Sequence, residues 1–125
     1  MSIRVATLTF DITTAVTNAA ASLGPHERII AVITPSAWTA ADIGFQISIN
    51  NTDFNAVVDP SRAAATSLAR IVNVELATAR FYVVPEALDF PLGSEIKITS
   101  IGVADNLAVN QAAARTVLVV ISKAR

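Results

Sequence analysis

The stretch Ile43-Gly44-Phe45-Gln46-Ile47-Ser48-Ile49 alternates apolar residues with small or polar ones without a break. Alternation with a period of two separates two faces only in an extended chain, where successive side chains point to opposite sides. Ile43, Phe45, Ile47 and Ile49 are therefore expected on one buried face, with Gly44, Gln46 and Ser48 on the other. Asn50-Asn51-Thr52-Asp53 follows, made of residues that accept turn geometry and bond to nearby backbone. Phe54-Asn55-Ala56-Val57-Val58 then resumes an extended pattern, so the whole unit reads as a β-hairpin.

Further strands are expected at Ile3 to Phe10, Arg28 to Thr34, Ile71 to Leu76, Phe81 to Val84, Glu95 to Ile101 and Thr116 to Ser122. In the fifth of these Ile96 and Ile98 point one way, and Glu95, Lys97 and Thr99 the other. Arg28 to Thr34 and Thr116 to Ser122 are largely apolar on both faces. Such strands lie inside a sandwich, or their outer face meets another subunit, and periodicity does not separate the two cases. Thr13 to Leu23 is rich in Ala and ends at Gly24-Pro25, which also suits a helical turn. Asp59-Pro60 ahead of Ser61 to Arg70 has the residue types of a helix start. Pro85 to Phe90 reads as a short turn, and Gly102 to Gln111 as a long loop. About eight short strands with turns between them, and no regular strand-helix alternation, predict one all-β domain over residues 1–125. Its expected architecture is an antiparallel β-sandwich or jelly roll with one or two short helical turns.

Composition narrows what such a domain does. Of 125 residues 53% are hydrophobic and only 15% charged, well under the roughly 25% usual for charged types. A compact monomer of this size exposes about 6,400 Å², and nine Lys and Arg with ten Asp and Glu cover it thinly. One reading is a neutral coat of Thr, Ser, Asn and Ala; the other is a surface covered by partner chains. There is no cysteine, so disulfides and thiolate metal sites are excluded. The longest solid apolar run is Val117 to Ile121, far short of the about 20 residues that span a bilayer. Met1-Ser2-Ile3-Arg4 lacks the apolar stretch of a secretory signal, so assembly in a cytoplasm is expected. No basic cluster suggests nucleic-acid binding.

Signs of catalysis are weak. The single histidine, His26, sits in a turn beside Glu27, and strand neighbours point to opposite faces. No spacing marks any pair of the ten acidic residues as an acid/base couple. Asn50 to Asp53 offers oxygen atoms for calcium without the spacing of a calcium loop, and the four glycines are isolated. No enzyme, metal or cofactor is expected. Trp38, the only tryptophan, either anchors a partner or sugar, or plugs one end of the sandwich with its N–H bonded to a loop carbonyl.

Two stretches carry a resemblance. One is Trp38-Thr39-Ala40-Ala41-Asp42-Ile43-Gly44-Phe45-Gln46-Ile47-Ser48, followed by Phe54 and Val57-Val58-Asp59. The other runs from Glu95-Ile96-Lys97-Ile98-Thr99-Ser100 to Val109-Asn110-Gln111-Ala112-Ala113-Ala114-Arg115-Thr116-Val117. Together they resemble a family of small tailed-bacteriophage structural proteins encoded among head-assembly genes. The resemblance implies a virion role, decoration or cementing of the outside of the phage head, and no catalytic residues. The implied partners are the major capsid protein and copies of the chain itself, a trimer being expected on local threefold axes; neither nucleic acid nor membrane is a partner. Candidate interface residues are Ile3, Arg4, Trp38, Arg62, Arg70, Arg80, Val109, Asn110, Gln111 and Arg115, arginine being favoured at interfaces. A carbohydrate-binding module and a tail-tube or head–tail connector subunit are the competing readings.

Overall fold

The structure, a computed structural model, describes residues 2–39, 41–50, 52–57, 80–84, 94–102 and 107–123. Its strands in chain order are β1 (Ser2–Phe10), β2 (Ala21–Ser22), β3 (Glu27–Thr34), β4 (Asp42–Ser48), β5 (Asn55–Ala56), β6 (Arg80–Val83), β7 (Glu95–Ile101) and β8 (Arg115–Lys123). They form two antiparallel four-stranded sheets, ordered β1-β8-β3-β6 and β2-β7-β4-β5. The first strand pairs with the eighth, the second with the seventh, the third with the sixth and the fourth with the fifth. That nesting is one long two-stranded ribbon whose tip is the β4–β5 hairpin. Pairing of β3 with β8 and of β4 with β7 rolls the ribbon onto itself. The result is the jelly-roll form of the all-β sandwich.

The expected strands form because their apolar residues alternate into the space between the sheets. Leu8 and Phe10 of β1, and Val117, Val119 and Ile121 of β8, meet Ile43 and Phe45 of β4 and Ile96 and Ile98 of β7 in one buried cluster. On β3 a one-residue bulge lies between Ile29 and Ala31. It shifts the alternation, so that Ile29 and Val32 both enter the core although an odd and an even position should point apart.

The Ala-rich stretch Thr13 to Leu23 is not helical. It runs along the edge of β7 as a bridge between Val16 and Thr99 and then as β2. Thr17 N–H donates to the Ile98 carbonyl at 3.0 Å, and the Thr17 hydroxyl accepts from Ile98 N–H at 3.1 Å. Edge pairing supplies hydrogen bonds and burial together, which outweighs a helix propensity of a few tenths of a kcal/mol per residue, on the order given by host peptides. Ile49 also departs from expectation: β4 ends at Ser48, and Ile49 is 78% exposed in the turn. The loop after β7 is tied back by Gly102 N–H to the Leu107 carbonyl and by an Ile101–Ala108 bridge. The expected strand at 71–76, the helix start expected at 59–70 and the short turn expected at 85–90 lie outside the described residues.

Polar side chains close the two ends of the sandwich. At one end Arg4 of β1 donates from Nε to Glu27 Oε2 at 2.7 Å and from Nη2 to Glu27 Oε1 at 3.1 Å and to the Ser22 carbonyl. Glu27 Oε1 also accepts from Gly24 N–H at 2.7 Å. A side chain at Gly24 would meet that carboxylate at 3.0 Å, so a larger residue here makes the Glu27 carboxylate shift by a few tenths of an ångström. At the other end Gln111 is fully buried and pairs twice with the backbone of Thr39, accepting at 3.0 Å and donating at 3.3 Å. Its own backbone bonds Thr13 and Thr14. One residue, through its carboxamide and its backbone, thus ties three loops.

Two expectations follow. Gln111→Ala leaves the Thr39 amide and carbonyl without partners and opens a gap, a loss of about 2–3 kcal/mol in urea unfolding. The Glu27 carboxyl is lowered from 4.5 to about 2 by hydrogen bonds from Arg4 and then from Gly24 N–H. In that window the unfolded chain binds a proton that the folded chain does not, so acid removes stability as pH falls from about 4.5 to about 2. Since Arg4 is half-exposed, the contribution is about 1 kcal/mol after solvent screening. Stability measured against pH in Glu27→Gln should be flatter across that interval.

Candidate interaction surface

The two sheets present unlike faces to the outside. The outward positions of β4 and β7 pair Ser48 with Glu95, Gln46 with Lys97 and Gly44 with Thr99. The Lys97 ammonium lies 4.4 Å from the centre of the Phe54 ring. The row continues with Asp42 and Ile101. These positions are mostly polar yet largely covered: Asp42, Gly44, Ser48, Thr99 and Ile101 are buried, and Gln46, Glu95 and Lys97 half-buried.

The outer face of the β1-β8-β3-β6 sheet is aliphatic. Its rows are read from the strand registers as Ile3–Ser122–Arg28, Val5–Val120–Ala31–Val83 and Thr7–Leu118–Ile33. A last pair, Thr9 and Thr116, joins hydroxyls at 3.2 Å. Arg28 is the one ionisable residue in these rows. Ala31 and Val120, at the centre, are 1% and 7% exposed yet stand outside the core cluster. The margins are open to water: Ile3 is 57%, Val5 54% and Val83 74% exposed. Bulky β-branched residues exposed on both flanks of an apolar sheet face are the feature of this surface that solvation alone disfavours.

The residues singled out from the sequence divide between places. Ile3 lies on the aliphatic face, and Arg4 on the same strand turns inward to Glu27. Trp38, Val109, Asn110, Gln111 and Arg115 gather at the other end of the sandwich, about 20 Å along β1. Trp38 is not a surface anchor: it is 3% exposed, donates its indole N–H to the Ala41 carbonyl at 3.0 Å, and meets Phe10 edge-on with ring centres 5.5 Å apart. Gln111 is equally inside, Val109 half-buried against the core, and Asn110 exposed. Arg115 is half-buried at the start of β8. Arg80 begins β6, while Arg62 and Arg70 lie outside the described residues. Sequence reasoning missed Val5 and Val83. Val5 alternates in phase with Ile3, so the first-strand pattern already carried that signal.

The remaining chemistry is that of turns. His26 is exposed at φ 61°, third of the four residues in a turn closed by Glu27 N–H to the Gly24 carbonyl, and the Glu27 carboxylate is committed to Arg4 and Gly24. The Asn50 carboxamide oxygen accepts from Thr52 and Asp53 N–H, and its nitrogen donates to Asp53 Oδ2 at 2.8 Å. Among the described residues no group of three or more His, Cys, Asp or Glu is placed to hold a metal ion. No helix among them is long and apolar enough to cross a membrane. No protein-family model matches the chain, and neither does any curated protein or solved structure.

Proposed function

We propose that this chain is a non-catalytic structural protein that works by packing against other protein chains, and that its assembly is the outer surface of a tailed-phage head, where it acts as a cement. The observation that carries the reading is the aliphatic outer face of the β1-β8-β3-β6 sheet, open at Ile3, Val5 and Val83. Covering each of these half-exposed side chains contributes about 1 kcal/mol, and many copies on one shell act together. The head location rests on the resemblance carried by residues 38–59 and 95–117. Its partners are the major capsid protein and copies of the chain. A cement adds buried area across joints between capsid subunits and so resists the pressure of packaged DNA.

A carbohydrate-binding reading needs a flat ring in reach of solvent. Trp38 is buried, which takes the only tryptophan out of reach, and Tyr82 packs partly against the core. The connector reading differs from the cement reading in its target. Purified protein should co-sediment with expanded empty phage heads and not with unexpanded ones. Val83→Lys, placed on the aliphatic margin away from β1, should weaken that binding roughly tenfold or more. Equal binding to both kinds of shell, or binding to neither, rules the cement role out.

A further inference from the structure

We infer that β1 is the pairing edge for a second copy of this chain, joined antiparallel about a twofold axis at Val5. The inference rests on the assembly reading above and names one of its partners, with a twofold pair in place of the trimer expected from the resemblance. β1 stands at the edge of its sheet and pairs with β8 over nine residues with no shift of register. The Thr9 carbonyl accepts from Asn18 N–H, so the backbone of Thr9 faces away from β8. By the period of two, the N–H and C=O groups of Ile3, Val5 and Thr7 face the same way. Among the described residues nothing bonds to them. The edge thus carries three donors and three acceptors in line over about 13 Å.

Edges of this kind are ordinarily defended by proline, lysine, a bulge or a covering segment. Ser2 to Phe10 contains neither proline nor lysine, its ladder has no bulge, and Ser2 to Val5 and Thr7 are exposed. The single charge, Arg4, is drawn to the core side by Glu27 and the Ser22 carbonyl. An unpaired row of backbone groups selects an extended strand as its occupant.

The sequence of β1 suits itself as that strand. With Val5 opposite Val5, Ile3 falls opposite Thr7 and Arg4 opposite Ala6, and all the free groups of Ile3, Val5 and Thr7 are paired. Centring the axis on Arg4 sets like charges face to face, which destabilises a ladder. Centring it on Ala6 sets Ile3 opposite Thr9, whose carbonyl Asn18 already occupies. Charge and hydrogen bonding therefore select the same register. In it the exposed Ile3 and Val5 of both copies adjoin on one face, and the two aliphatic faces become a single eight-stranded surface.

Sedimentation equilibrium from about 5 to 500 μM tests the pairing, because an interface of one strand edge is smaller than the about 800 Å² per partner of stable complexes. The wild-type chain should pass from one to two subunits. Val5→Lys and Val5→Glu, each with unchanged circular dichroism, should stay single and weaken association at least tenfold. Their equimolar mixture should recover the two-subunit mass, because the register sets the two charges opposite one another. Amide exchange of wild-type Ile3, Val5 and Thr7 should slow as concentration rises, which needs no variant. A single-subunit mass throughout, a three-subunit mass indifferent to Val5→Lys, a mixture that stays single, or concentration-independent exchange overturns the inference. Co-sedimentation with expanded heads separates the readings: a chain that binds shells without pairing keeps the cement role, and one that pairs without binding shells loses it.

Discussion

The rest of the molecule depends on β8. It is the strand that β1 and β3 both need as a partner, and it is apolar on both sides. Val117, Val119 and Ile121 form the floor of the core, while Leu118 and Val120 belong to the outer face. A strand with alternating polarity would have served the core equally well. The two-sided pattern adds an aliphatic exterior that the core does not need, and that exterior is what points to assembly.

The roll is held differently at its middle and at its ends. In the middle, apolar side chains from both sheets exclude water, and the energy is that of burial. At the ends, where the ribbon turns, backbone groups would be left unpaired without side-chain partners. Glu27 with Arg4 closes one end, and Gln111 with Thr39 the other. These polar ties are few and specific. They place the ends, whereas the core makes the fold stable.

Much of the fold was legible in the residues. The alternation over Ile43 to Ser48 and Glu95 to Thr99 located two strands and their buried faces, and Asn50 to Asp53 located the hairpin turn between β4 and β5. The pattern failed where contact overrides it. Ala-rich Thr13 to Leu23 carried a helical signature, and only the open edge of β7 turned it into extended chain. Ile49 continued an apolar rhythm that the turn cut off one residue earlier. Less of the candidate surface was legible. Ile3 lies exposed on the candidate surface, Gln111 was placed outside when it lies inside, and Trp38 fits the second of its two readings, a buried ring with its N–H on a loop carbonyl. Val83 gave no signal because four residues of β6 are too short a rhythm to assign a face.

Taken alone, the chain determined what depends on neighbours a few residues apart: where it is extended, where it turns, that it lacks thiols, and that it has few charges to meet water. Tertiary structure alone decided which apolar face of β3 and β8 looks inward, that a bulge before Ala31 lets Ile29 and Val32 share a side, and that Thr39 meets Gln111 across 72 positions. The reason is physical. Side-chain direction in a strand is a local property with a period of two, so it leaves a trace in the sequence. Contact between strands is set by how the ribbon rolls, which couples residues far apart and leaves no period to read.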